Sequence, residues 1–291
     1  MPRTFVDLSI FLENDVLSDP PAFAPKIEYF SHDNTFEQIA PFFPGLQKSD
    51  LPDGEGWAVE LVQLSTHNGT HLDAPYHFHS TMNKALSEKE RAIAIHEVPL
   101  EWCFQPAVKL DFRHFADGYV VTAADVEAEL KRVGHTITPL EIVVVNTRAG
   151  SRYGASDYVA SGCGMGYEAT MYLLERGVRL TGTDAWSWDA PFVHTVKKYG
   201  ESHDASLIWE GHKAGRDIGY CHLDRDTPPY QAIDAAAASR FRSVLEAIYR
   251  PLRADSALNE AQTEQLVIER ILVELGWGGD YLPRQSLGQA P

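Results

Sequence analysis

Ile142-Val143-Val144-Val145-Asn146, then Tyr167 to Arg176, then Val178-Arg179-Leu180-Thr181-Gly182-Thr183-Asp184 is the stretch that decides the fold class. The first run is continuously β-branched, which predicts a strand buried on both faces. Tyr167 to Arg176 has the helical pattern, and Gly177 ends it. Val178 to Gly182 is a second strand running into Thr183-Asp184. Strand, helix and strand in succession predict an α/β core. Working outward, Thr122 to Val133 reads as a helix, with Thr122 as N-cap, Asp125 three residues on, and Gly134 as stop. Ala107 to Phe112, Trp57 to Leu64 and Phe5 to Phe11 are further strands. Residues 14 to 58, with Pro20, Pro21, Pro25, Pro41, Pro44 and Pro52, suit a long ordered loop with short pieces of structure. Ile233 to Tyr249 and Ala257 to Leu275 read as helices separated by Pro251. The expected organisation is one α/β domain over residues 1–230 and a helical extension over 231–291. That extension packs on the core or on a partner subunit.

The chain has 291 residues and a formal net charge of −16. Such an acidic chain lacks the basic face that nucleic acid requires, and its sign disfavours an anionic membrane surface. Hydrophobic residues at 44% supply an ordinary globular core. Cys103, Cys163 and Cys221 are widely spaced and form no CxxC, which argues against a disulfide framework and for a reducing cytoplasm. No signal peptide and no transmembrane helix are expected.

The histidines carry the chemistry. Four of the chain's 12, His67, His71, His77 and His79, fall in His67-Asn68-Gly69-Thr70-His71-Leu72-Asp73-Ala74-Pro75-Tyr76-His77-Phe78-His79. Gly69 and Pro75 oppose a helix, and in extended chain residues two or four apart share a face. His67, His71 and Asp73 therefore converge with local bending at Gly69. Two imidazoles and a carboxylate form a facial ligand set for a divalent ion and leave positions open for water and substrate. His77 lies near that set without having to bind, a place for a general acid or base. His79 falls outside, as a supporting or exposed residue.

Gly162-Cys163-Gly164-Met165-Gly166 lacks dinucleotide-loop spacing and reads as a tight turn. Cys163 has no base beside it and is a poor nucleophile. Trp186, Trp188 and Phe192 line an aromatic pocket or belong to the core. Phe23, Tyr29, Phe30, Phe36, Phe42 and Phe43 offer an apolar substrate wall, with core packing as the alternative.

The segment from His67 to Phe78 resembles HxGTHxDxPxHF, the signature of the cyclase-like metal-dependent hydrolases, which include bacterial kynurenine formamidase and isatin hydrolase. Asp7-Leu8-Ser9 and the strand ending in Gly182-Thr183-Asp184 extend the likeness over about residues 5 to 225. The resemblance implies a swivelling β/β/α fold with a central mixed sheet, and a homodimer or larger homo-oligomer. It implies that His67, His71 and Asp73 bind a first metal, that Asp73 bridges to a second where there is one, and that His77 is the acid/base. In the formamidases the second metal uses a later His and a Glu twelve residues on. Here His212 is followed at that spacing by Asp224, within Tyr220-Cys221-His222-Leu223-Asp224. The shorter carboxylate leaves both one-ion and two-ion sites open, with zinc or manganese as the metal. His194 and His203 are weaker substitutes for His212. The implied activity is hydrolysis of a non-peptide linear or cyclic amide in a small-molecule substrate. A lactonase using the same site and a non-catalytic metal-binding protein are the rivals.

Overall fold

Along Ile142–Asn146, Val143 and Val145 are buried while Ile142 and Val144 are half-buried, so one face of this strand carries the core. The computed structural model describes residues 7–86 and 88–225. In chain order it contains β1 (Lys26–Phe30), α1 (Phe36–Ile39), β2 (Val59–Gln63), β3 (His71–Asp73), α2 (Pro75–Phe78), β4 (Thr81–Met82), β5 (Glu90–Arg91) and α3 (Leu100–Cys103). Then come β6 (Ala107–Asp111), β7 (Val120–Val121), α4 (Ala123–Val133), β8 (Ile142–Asn146), β9 (Gly164–Met165), α5 (Tyr167–Leu174), β10 (Leu180–Thr183), α6 (Phe192–Ser202), α7 (Glu210–Asp217) and β11 (Cys221–Asp224).

Five strands form the central sheet in the order β3-β11-β10-β8-β6. β6, β8, β10 and β11 run parallel, and β3 joins the edge antiparallel to β11, so the sheet is mixed as expected. Leu110 and Val143 from the sheet, Val126 and Leu130 from α4, Ala169 and Leu173 from α5, and Ala214 from α7 share one apolar cluster. Each large apolar side chain buried there contributes about 1.5–3 kcal/mol.

The helix boundaries have local causes. Asp125 N–H donates to Thr122 Oγ1 at 3.2 Å while Asp125 Oδ2 accepts from Thr122 N–H at 2.9 Å, closing the start of α4. Gly134 takes the left-handed conformation at its end.

Four expectations change. Val143 and Val145 are buried, but the opposite face of β8 is only partly covered. Residues 7 to 11 are not a strand: Ser9 N–H turns back onto Asp7 Oδ1 (2.9 Å) and Ile10 N–H donates to Thr70 Oγ1 (2.9 Å), so loop contacts consume the backbone donors. Gly162 to Gly166 is not only a turn, because Gly164–Met165 pairs in parallel with Val120–Val121. Phe23, Tyr29, Phe42 and Phe43 are exposed, which rules out the core reading for them. The helical extension over 231–291 lies outside the described residues. Among the described residues no helix is long and apolar enough to cross a membrane.

Candidate metal centre

β3 and β11 lie side by side with His222 opposite Asp73, Leu223 opposite Leu72, and Asp224 opposite His71. Successive side chains alternate between faces of a sheet. The pairing therefore sets His71, Asp73, His222 and Asp224 as a two-by-two block on one face, each histidine facing a carboxylate. The loop before β3 is set by Asn68, whose Oδ1 accepts from Ser65 N–H at 2.7 Å and whose Nδ2 donates to the Phe23 carbonyl at 2.8 Å. Gly69 at φ +66° makes the bend, and a Cβ there would approach Leu12 at 3.0 Å.

This bend brings His67 onto the block. His67 Nδ1 is 3.0 Å from Asp73 Oδ1 and 3.2 Å from His71 Nε2, and His71 Nε2 is 3.5 Å from Asp73 Oδ2. His71 Nδ1 faces the Gly69 carbonyl at 2.9 Å, which commits that nitrogen and leaves Nε2 toward the cluster. The short helix α2, opened by Pro75, returns His77 to the site. Its Nε2 is 3.9 Å from Asp73 Oδ2, and its ring centroid is 4.3 Å from that of His67. His79 is exposed and turns to Thr81.

His212 arrives from α7, and its ring lies 5.4 Å from His77 and 5.0 Å from His222. Its Nδ1 is held by Asp189, which also accepts from the backbone N–H groups of Gly211 (2.7 Å) and His212 (3.3 Å). His222 is fully buried, with Nε2 3.1 Å from Asp73 Oδ2 and Nδ1 3.4 Å from Asp224 Oδ1. Neither nitrogen makes a hydrogen bond of acceptable geometry, and Asp224 Oδ1 makes none either.

The electrostatics favour a cation. Burial alone would raise the Asp73 carboxyl, yet the imidazoles of His222, His67 and His71 that face it hold it far below the usual carboxylate range. Burial opposes charge on His222, but Asp224 and Asp73 outweigh it and push the imidazole up to about 10. His71 shifts upward for the same reasons. Two buried carboxylates thus draw protons onto neighbouring imidazoles, and a divalent ion answers the same demand. His77 moves the other way. Burial, aided by His212, His67 and His222, pushes it down to about 4 against the pull of Asp73.

The donor set fits a metal. Among the described residues, donor atoms lie within 4.8 Å of one another in the groups His71, Asp73 and Asp224; His67, Asp73 and His77; and His77, His212 and His222. Ligands about 2.1 Å from one ion stand roughly 3.0–3.4 Å apart, close to the 3.0, 3.2 and 3.5 Å separations among His67, His71 and Asp73. The orphaned nitrogens of His222 and Oδ1 of Asp224 are buried polar atoms that an ion would satisfy.

The structure brings together His67, His71, Asp73, His77, His212 and Asp224. His212 and Asp224 nevertheless fall in different triads. His222 and Asp189 were not singled out in the sequence. The signal for His222 was its position two residues before Asp224, on the same face of a strand. Asp189 carried no local signal, since it lies 23 residues from the histidine it holds. His194 instead contacts the Ala160 carbonyl, and His203 sits beside Tyr199. Trp188 is core, its Nε1 donating to Thr170 Oγ1, whereas Trp186 is half-buried against Phe192. Burial pushes the Cys163 thiol up to about 12, which leaves it unreactive.

Comparison with known proteins follows the same outline. An isatin hydrolase bound to thioisatinate is similar over 77% of this chain and 79% of its own, at 20% identity and a TM-score of 0.54. Isatin hydrolase A from Ralstonia solanacearum is similar over 76% and 78%, at 21% identity and a TM-score of 0.53. Isatin hydrolase A from Labrenzia aggregata is similar over 78% and 81%, at 23% identity and a TM-score of 0.51. At these identities the likeness is one of fold. No protein of curated function matches the chain in sequence. The family described as "Putative cyclase" matches residues 6–190, a span that holds the bend at Gly69, β3, α2 and the β8–α5–β10 core, and the chain belongs to that family.

Proposed function

We propose that the protein is a metal-dependent hydrolase that cleaves a non-peptide linear or cyclic amide C–N bond. The observation that carries this reading is the convergence of His67, His71, His77, His222 and Asp224 around one carboxylate, Asp73, with His212 joined to it through His77 and His222. His67, His71 and Asp73 would hold a zinc or manganese ion. When bound, such an ion polarises a substrate carbonyl and lowers the pKa of a water at its open position toward about 7.

The chain's own residues do the rest. Asp73 stays ionised and presents Oδ1 to His67 and Oδ2 to His71, which fixes the donor geometry. His77 is neutral at physiological pH, so it can take a proton from the attacking water at Nε2 and return it to the departing nitrogen. The side chains of His67 and His77 are 39% and 28% exposed, so the site opens to solvent on their side. A storage protein would close its ligand shell, and this opening favours catalysis over that rival. Phe23 is exposed, with its backbone tied to Asn68 beside His67, and it supplies an apolar wall for the substrate.

A lactone would meet the same machinery, with an alkoxide leaving in place of nitrogen. The likeness of the motif to formamidases and isatin hydrolases favours the amide. The test is metal analysis followed by turnover of N-formylanilines, isatin, cyclic imides and small lactones, with and without a chelator. Chelator-sensitive turnover of the amides is expected. A protein that takes up no divalent ion sinks the reading, and turnover of lactones alone replaces the amide by the ester.

A further inference from the structure

We propose that Trp209 is a specificity-determining residue, whose open indole face receives a planar ring carried on the nitrogen that departs under His77. The proposal rests on the hydrolase reading above and deepens it, by giving one side of the site to one part of the substrate.

Three ordinary reasons for a residue at this position do not account for a tryptophan. Trp209 stands at the cap of α7, where Asn, Asp, Ser or Gly is favoured, and its side chain makes no capping bond. Asp189 supplies the cap instead, accepting from the N–H groups of Gly211 and His212. The Trp209 backbone is left-handed, with φ +56° and ψ +49°, a conformation that Gly and Asn enter far more readily than a bulky residue. The core does not claim the side chain either. Trp209 is 39% exposed, whereas Trp188, packed on Gly211 of the same helix, is 1% exposed.

Strain of this kind persists where the surroundings over-determine it, and it gathers at ligand sites. A Cβ on Gly211 would come within 2.5 Å of Trp188 Cδ1 and 3.0 Å of the Met165 carbonyl oxygen, so the first turn of α7 is pressed onto β9. The Lys213 N–H donates to the Trp209 carbonyl at 2.8 Å. What the left-handed step achieves is the placement of the indole. It stacks on the His212 ring, at 5.0 Å between centroids and 17° between planes, and stands 6.2 Å from the His77 ring. One face lies against His212, so the exposed area falls on the other face and the edge. In the proposed reaction His77 Nε2 returns a proton to the departing nitrogen. A ring on that nitrogen comes within reach of the indole, since aromatic pairs interact at about 4.5–7 Å between centroids. A π face favours a flat aromatic partner over a puckered one of equal size.

The probes are N-formylaniline and N-formylcyclohexylamine, nearly equal in size, with the second measured as a competitor of the first. Trp209→Ala should raise KM for N-formylaniline about tenfold, the scale of a lost aromatic contact and its buried area. The inhibition constant of the cyclohexyl compound should hardly move. Trp209→Phe should keep most of the preference for the aryl compound. Where circular dichroism shows that alanine disturbs the fold, Trp209→Leu keeps apolar bulk without a π face and should show the same loss. Acetanilide should change the tryptophan fluorescence of the wild type on binding, and Trp209→Phe should remove most of that change. Equal effects on the aryl and cyclohexyl compounds, or an unmoved KM, overturn the proposal. So does a fall in kcat together with lost metal, which would make Trp209 a support for His212. A wild type that hydrolyses amides but gives no fluorescence change with acetanilide overturns the proposal and leaves the hydrolase reading standing. One that gives the Trp209-dependent change but hydrolyses no amide sinks that reading and leaves the ring site at Trp209.

Discussion

His67, His71, Asp73 and His77 reach the site on eleven consecutive residues, whereas His212, His222 and Asp224 reach it on a helix and a strand that must first dock. The near half is built by one bend at Gly69 and one short helix opened by Pro75. It remains partly open, with the His67 side chain 39% exposed. The far half is sealed, with His212 at 4% and His222 at 0% exposure. It depends on Asp189 gripping the start of α7 and on Phe78 lying against both histidine rings. Changes in the near half should therefore read out in chemistry, and changes in the far half in chemistry and packing together.

The largest effect belongs to Asp73, which touches both halves. Asp73→Asn keeps the shape of the side chain and removes the charge that His67, His71 and His222 face. Bound metal and turnover should both be lost, as measured by elemental analysis and substrate assay. Full metal content in the variant would show that the histidines alone make the site. His71→Ala should behave alike, because its Nε2 sits 3.2 Å from His67 Nδ1.

His77 comes next and separates roles within the near half. With the metal retained, His77→Ala should lower kcat by about 10²–10⁴-fold, the range for a lost general acid/base. Loss of metal together with activity would instead make His77 a ligand.

The difference between the halves also explains what the sequence could disclose. The near half is local, so residue type and spacing carried it: Gly69 and Pro75 punctuate the segment, and extended geometry puts His67, His71 and Asp73 on one side. The β8–α5–β10 core was legible for the same reason, since β-branched runs and a glycine stop are local signals. The far half is specified by register. That His222 faces Asp73 follows from which rows of β3 and β11 pair, and no single segment contains that information. The twelve-residue spacing brought Asp224 into view and missed His222, although alternation in Cys221-His222-Leu223-Asp224 puts both on one face. Gly164 was misread because its pairing partner, Val120, lies 44 residues upstream.

Asp189 tests the far half from behind the donor groups, through the one histidine it holds. Its carboxylate holds His212 Nδ1 and the first N–H groups of α7. Asp189→Asn should weaken metal affinity or activity by about 10–100-fold, the usual effect of removing a ligand's hydrogen-bonding partner. His77→Ala should leave metal affinity nearly unchanged, so competition titrations of the two variants discriminate the halves. Unaltered affinity in Asp189→Asn would mean that packing alone orients His212.

Gly215 gives the smallest effect, and its sign is informative. A Cβ at Gly215 would come within 2.3 Å of Phe78 Cδ2 and 3.1 Å of Cγ. Phe78 is 6% exposed and boxed by His212, His222 and Tyr220, at 5.4, 5.0 and 4.7 Å between ring centroids. It cannot swing away without moving both histidines. Gly to Ala within a helix gains about 1 kcal/mol in propensity, while overpacking a core costs about 1–3 kcal/mol. Gly215→Ala should therefore be neutral to destabilising by about 2 kcal/mol, a fall in Tm of a few degrees, with metal affinity lowered in parallel. Gly200 is the control: it lies in α6, and a Cβ there meets nothing within 4 Å. Gly200→Ala should raise Tm by a degree or two through propensity alone and leave metal binding untouched. Equal shifts in the two variants would mean that α7 is free to slide, and that the far half of the site is not held by its contact with Phe78.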